Sequence, residues 1–157
     1  NSFETAKYKK ISDVVTKISF FGRAVNTLSN KDVRISKRLY MPAKKLRGFE
    51  SGKMGPIEKN NFIGGNYMSS VNFNATLPNF FPAFENTDIS YFIDAANVWG
   101  IDYDSSINDE SKIRSATGFA IDIFTPVGPL NFSLAAPITK SSTDRTERFR
   151  FNLGTTF

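Results

Sequence analysis

The chain contains no cysteine and no histidine, and these two absences remove several kinds of chemistry. Without cysteine there are no disulfides and no thiolate nucleophiles, and without histidine there is no imidazole base and no common zinc site. No apolar run approaches the roughly 20 residues that a membrane-spanning helix needs, and no signal peptide is visible. Because the first residue is Asn and not Met, we interpret the sequence as a piece of a longer protein.

Phenylalanine and positive charge are abundant instead. The 157 residues include 16 Phe, and the formal net charge is +5, with basic residues concentrated between Lys31 and Lys53. A nucleic-acid site usually interleaves exposed aromatic residues with basic ones on a stable platform. This stretch lacks that pattern, so we expect no nucleic-acid partner and interpret it as a solvated loop.

Apolar and polar side chains alternate along much of the chain, which is the pattern of a β-strand with two different faces. We expect the apolar face to contact lipid and the polar face to line a lumen. The sequence predicts an all-β fold, an antiparallel meander of about seven strands. The alternation is weakest in the first two of seven segments. These segments are residues 4–11, 14–28, 65–77, 87–99, 112–125, 129–138 and 147–157.

These segments are long, at about 10 to 14 residues, whereas strands of globular proteins usually have about 5 or 6. A tilted strand that crosses a bilayer needs roughly 9 to 11 residues. Long polar connections lie at 29–64, 100–111 and 139–146. Between them lie a connection of intermediate length at 78–86 and a tight turn at 126–128. Long loops and short turns at opposite ends are typical of an outer-membrane β-barrel. A soluble β-sandwich binding module is the alternative.

Acidic pairs are the remaining candidates for catalysis or metal binding. Asp102 with Asp104, and Asp109 with Glu110, lie in a polar segment without an apolar wall to shift a pKa. The other ligands of an EF-hand loop are missing. We therefore expect no enzymatic activity, no metal and no cofactor.

Four motifs follow one another in a specific order: "LRGFESGKMGP" in the longest loop, then "YFIDAANVW", "GPLNFSLAAPI" and the terminal "FRFNLGTTF". Together they resemble the carboxy-terminal part of the BamA family of outer-membrane assembly factors, in the bacterial surface antigen superfamily. The resemblance implies a location in the bacterial outer membrane and a sixteen-stranded barrel. Residues 1–157 would form about its last seven strands, without the periplasmic modules that precede the barrel.

The resemblance also implies a function and partners. Such a protein is an insertase that folds β-barrel proteins into the outer membrane, and its partners are membrane lipid, unfolded client barrels and accessory assembly lipoproteins. A polypeptide secretion pore of the same superfamily shares these motifs and is the alternative function. In an isolated fragment, the exposed sheet edges would be free to associate with another chain.

Two sites follow from the same resemblance. In the first, a loop at about 29–64 folds inward, Arg47 pairs in the lumen with Asp94, Gly48 permits a tight bend, and Phe49 packs against the wall. Where close relatives have a carboxylate, this chain has Asn74, so we expect Asp94 to balance more of the charge.

The second site is the last strand, which would close the barrel by pairing with the first strand and would also carry the insertion signal. We expect Gly154 to weaken and kink this strand, because glycine has no Cβ and more conformational freedom to lose. The residues of this lateral seam are Phe149, Phe151, Leu153, Gly154 and Phe157.

Overall fold

Seven long strands form one antiparallel sheet in a computed structural model that describes residues 1–27, 32–78, 86–101, 107, 111–126 and 128–154. Each strand pairs with the next long strand along the chain, so the predicted all-β meander of about seven strands is confirmed. The strands are β1 (Ser2–Ile11), β2 (Val14–Ala24), β5 (Tyr67–Thr76), β6 (Thr87–Trp99), β7 (Arg114–Thr125), β8 (Gly128–Thr139) and β9 (Phe149–Leu153), and a separate hairpin contains β3 (Ile57–Glu58) and β4 (Asn61–Phe62).

From β2 to β9 the sheet has one exposed, largely apolar face and one partly covered face of mixed polar and apolar residues, which we call the outer and inner faces. Cross-strand register keeps each face continuous, since Ile18 pairs with Phe73 on the outer face and Asn72 pairs with Asp94 on the inner face. Val71, Phe119 and Leu134 are among the exposed outer residues. The division follows from the two-residue period of the strands.

Residues 25–66 connect β2 to β5, and their described part packs on the inner face. Leu46 and Phe49 are each 1% exposed and belong to an apolar cluster with Val98 and Ala116 of the sheet. The basic stretch from Lys31 to Lys53 was interpreted as a solvated loop, and for its described residues, 32–53, this interpretation is wrong. Its basic residues are interspersed with apolar ones, and the inner face offers apolar side chains for these to cover.

Helical structure in the described ranges is limited to one 3₁₀ turn, Ile35–Lys37. No helix in this part of the chain is long and apolar enough to cross a membrane. The described residues also contain no second large sheet to pack against the seven strands, so they do not form the β-sandwich alternative.

Candidate functional site

Arg47, in the connection between β2 and β5, is held against the carboxylate of Asp94 on β6. Its Nε donates to Oδ2 and its Nη2 donates to Oδ1, both at 2.7 Å, and its backbone N–H donates to Oδ2 at 3.1 Å. The Asp94 side chain is fully buried, and the Arg47 side chain is 16% exposed. Two parallel charge-assisted hydrogen bonds fix both the distance and the orientation of the guanidinium group.

Neighbouring inner-face side chains complete this contact. Asn72 donates from Nδ2 to Asp94 Oδ1 at 2.9 Å and to the carbonyl oxygen of Lys45 at 2.8 Å. Arg47 Nη2 also donates to Asn74 Oδ1 at 2.9 Å, and the guanidinium carbon lies 3.6 Å from the centre of the Phe92 ring. Because Asn74 is neutral, it supplies an acceptor without charge, and Asp94 supplies the carboxylate.

Gly48 and Phe49 follow Arg47 where the chain turns against the sheet. Gly48 has a φ of +87°, which favours glycine, and a Cβ built on it would lie 3.1 Å from the Cβ atoms of Ala116 and Ala135. The small residues on β7 and β8 thus allow a close approach of the backbone. Phe49 then enters the apolar cluster.

Residues 47–50, which we call the loop tip, are hydrogen-bonded to the segment before β9. The N–H of Glu147 donates to the carbonyl of Gly48, and the N–H of Glu50 donates to the carbonyl of Arg145, both at 3.0 Å. Arg150, on the inner face of β9, donates from Nη2 to the carbonyl of Phe49 at 3.0 Å and pairs with Glu147. Main-chain and side-chain bonds therefore connect the loop tip to the start of β9.

Within the described residues, the last strand begins two residues later than predicted and ends at Leu153. β9 has five residues, whereas its partner β8 has 12, and the two pair from Leu134 with Phe149 to Leu130 with Leu153. Gly154, with a φ of +109°, follows the strand, and Phe157 lies outside the described residues. Phe149, Phe151 and Leu153 are exposed on the outer face. Within the described chain, no strand pairs with the other edge of β9.

A second buried ion pair was not predicted from the sequence. Arg114, at the start of β7, donates from Nε to Asp144 Oδ2 at 3.0 Å and from Nη2 to Oδ1 at 3.2 Å, and its Nη1 donates to Asn97 Oδ1 at 3.0 Å. The two charged side chains are 4% and 0% exposed. This network fixes the β8–β9 connection, which also contacts the loop tip. The position of Arg114 near the start of a strand could have indicated a charged contact at that end of the sheet. Spacing in the sequence does not identify its partner, because Asp144 lies in a loop.

The acidic pairs considered for catalysis and calcium, Asp102 with Asp104 and Asp109 with Glu110, lie outside the described residues. Elsewhere in the described ranges, no three or more acidic residues group as metal ligands would. Within the described residues, the geometry is that of a structural anchor beside a strand edge.

Comparison with known proteins supports the family resemblance. The Omp85 superfamily domain model matches residues 2–157. The outer membrane protein assembly factor BamA of Neisseria meningitidis serogroup B is 30% identical over an alignment 141 positions long, and the match covers 71% of this chain and 17% of that protein. The crystal structure of BamA from Haemophilus ducreyi lacking POTRA domains 1–3 matches with a TM-score of 0.86 and 26% identity, over 96% of this chain and 33% of that one.

The present chain thus spans a minor part of both relatives, but the family match extends over almost all of it. The resemblance drawn from the four motifs is confirmed. The chain belongs to the Omp85 superfamily, as part of a BamA-like β-barrel of the bacterial outer membrane.

Proposed function

We propose that the full protein is an insertase that folds β-barrel clients and inserts them into the outer membrane through the edge of β9. The observation that carries the proposal is the short pairing of this strand, which in the described residues pairs five positions with β8 and ends beside Gly154. A relative that matches this chain is described as an outer membrane protein assembly factor, which supports the same role.

An edge strand is a template for another strand, because its N–H and C=O groups lack partners. In the proposed mechanism, β9 pairs with the first strand of the full barrel, and a client strand replaces that partner at the seam. Main-chain hydrogen bonds supply the affinity, and alternating side chains set the register. Phe149, Phe151 and Leu153 keep the outer face of the seam apolar during this exchange.

Arg47 has a positioning role in the proposal. Its contact with Asp94 holds the loop tip against the inner wall, and the loop tip in turn bonds to the residues before β9. The seam strand is therefore supported from the lumen at the end where it begins. This leaves its other end, near Gly154, free to separate from a partner.

Binding and strand exchange, without covalent catalysis, would account for the whole activity. The partners in this proposal are outer-membrane lipid, unfolded β-barrel clients and accessory assembly lipoproteins. No cofactor or nucleic acid takes part.

A disulfide between β9 and the first strand of the full-length protein tests the proposal, and the absence of native cysteine in this chain simplifies the design. We expect the locked seam to stop client insertion in proteoliposomes, and reduction to restore it. The matched control carries Asn131→Cys and Asn152→Cys, which form a disulfide between register partners on β8 and β9. This control should leave insertion unchanged, since it locks a pair that need not open.

Normal insertion with the seam locked would contradict the proposed insertase. If the locked protein instead translocates a polypeptide across the membrane, the secretion pore becomes the better interpretation.

A further inference from the structure

The outer face of β1 differs from that of every other long strand. Antiparallel register places Lys7 opposite Ile18 and Lys9 opposite Thr16, so both lysines lie on the outer face of the sheet. Phe3 shares this face, and its ring centre lies 6.2 Å from that of Phe20 on β2. Two cations therefore interrupt a surface that is otherwise largely apolar.

The lysines lie toward one particular end of the sheet. β1 ends at Ile11, and only Ser12 and Asp13 separate it from β2, whereas the long connection follows the opposite end of β2. Outer-membrane barrels have short turns on the periplasmic side and long loops outside. At a rise of about 3.3 Å per residue, Lys9 lies roughly 7 Å and Lys7 roughly 13 Å along the strand from Ile11. Both positions are therefore in the periplasmic half of the membrane.

A lysine on the lipid face is unfavourable at the centre of the bilayer and much less so near its surface. Each flexible side chain can extend toward the headgroups while its methylene groups stay in the hydrocarbon. Lys7 and Lys9 are exposed on the outer face, so the described strands do not enclose their ammonium groups.

The outer faces of β1 and β2 carry no carboxylate beside the two lysines. Glu4 has the opposite parity on β1 and pairs across the inner face with Lys45 of the long connection. The outer residues of β2 opposite the lysines, Thr16 and Ile18, carry no charge. The positive charge on this surface is therefore not balanced by β1 or β2, and it is complementary to an anionic group beside the sheet.

We propose that Lys7 and Lys9 bind the phosphate-bearing headgroup of an anionic phospholipid in the periplasmic leaflet. Two ammonium groups that project from the same face of one strand, two residues apart, can contact a single headgroup. Lipopolysaccharide would be on the wrong side for this site, because the lysines are at the short-turn end. The bound lipid would fix the height of the barrel wall at β1, which is six strands away from β9 in the sheet.

The test uses the full-length protein in nanodiscs of phosphatidylethanolamine with or without phosphatidylglycerol, and measures co-retained phosphatidylglycerol by native mass spectrometry. For the variant with both Lys7→Gln and Lys9→Gln, we expect retention to fall on the order of fivefold for each lysine removed. The matched control carries Lys10→Gln and Lys17→Gln, which remove the same charge from the inner face. It should retain phosphatidylglycerol as the wild type does.

A variant with Lys7→Arg and Lys9→Arg should also keep the lipid, since a guanidinium group binds phosphate. Equal losses in the inner-face and outer-face variants would overturn the proposal, because net charge alone would then explain retention. Unchanged retention after loss of Lys7 and Lys9 would overturn it as well, and would indicate a carboxylate on the preceding strand of the barrel.

Discussion

The backbone N–H of Glu147 donates to the carbonyl oxygen of Gly48, with the two atoms 3.0 Å apart. Gly48 follows Arg47, which is fixed by Asp94, and Glu147 precedes the first residue of β9 by two positions. One hydrogen bond thus connects the buried anchor of the long connection to the strand at the seam. The anchor and the seam are neighbours through the main chain, although about 100 residues separate them in the sequence.

Replacing Glu147 with Pro should loosen the loop tip, because Pro has no N–H to donate to Gly48. The expected loss of about 1 kcal/mol should speed amide hydrogen exchange at Glu50 roughly fivefold in the full-length protein. The control, Glu147→Ala, retains the main-chain donor but removes the carboxylate that pairs with Arg150. Equal exchange at Glu50 in the two variants would show that the bond to Gly48 does not hold the loop tip.

Arg47 and Asp94 should depend on each other for their contribution to stability. Removal of one partner from a buried pair typically costs about 3 to 5 kcal/mol, because the other charge is left uncompensated. Arg47→Ala and Asp94→Ala should therefore cost less together than the sum of the single changes, as judged from the thermal unfolding of the full-length barrel. Fully additive losses would mean that the two residues do not interact. Arg47→Lys should not restore the wild-type value, since lysine lacks the two-pronged geometry.

Asn74 offers a way to move the negative charge. In the Asp94→Asn variant, the further change Asn74→Asp places a carboxylate where an acceptor already lies 2.9 Å from Arg47 Nη2. We expect the double variant to recover part of the lost thermal stability, on the order of 1 kcal/mol. The control is Asn152→Asp in the same Asp94→Asn variant. It adds the same negative charge, but on β9 and not at the position that bonds to Arg47. Equal recovery from both additions would contradict a specific contact with Arg47.

Arg114 and Asp144 should stabilise the β8–β9 connection. Arg114→Met leaves the buried Asp144 carboxylate without its cation, so we expect a cost of about 3 to 5 kcal/mol in thermal unfolding and faster proteolysis within 140–148. Arg148→Met is the control, since Arg148 is exposed. Similar losses in the two variants would mean that burial of the ion pair is unimportant.

The faces of the strands could be predicted from the sequence because the two-residue period is local. Ile121 and Asp122 point to opposite faces of any extended chain, whatever surrounds them. Strand ends follow less directly from the sequence. Alternation predicts that β2 reaches residue 28, but the strand ends at Ala24, and it predicts that β9 begins at residue 147, but the strand begins at Phe149. An end depends on whether a partner strand continues, which alternation does not reveal.

Contacts made by the connections could be predicted only in part. The resemblance paired Arg47 with Asp94, and these residues are in contact in the structure. The pair of Arg114 with Asp144 had no such guide, because a loop residue has no fixed parity and its partner depends on the path of the chain. The concentration of positive charge between Lys31 and Lys53 predicts a solvated loop, but apolar residues lie between these basic ones. Leu46 and Phe49 show that these residues decide where the segment lies.

The assignment of the outer face to lipid can be tested by single cysteine substitutions, which suit a chain without native cysteine. In the full-length protein, Ile121, Ile123 and Leu134 should react with a lipid-soluble thiol label several times faster than Asp122 and Ala135. Asp122 accepts a hydrogen bond from Asn131 at 2.6 Å on the inner face, and Ala135 is 5% exposed, whereas Leu134 is 62% exposed. A reversed pattern would indicate a one-residue register slip, which exchanges the two faces. Equal labelling at all five positions would show that the sheet does not separate lipid from lumen.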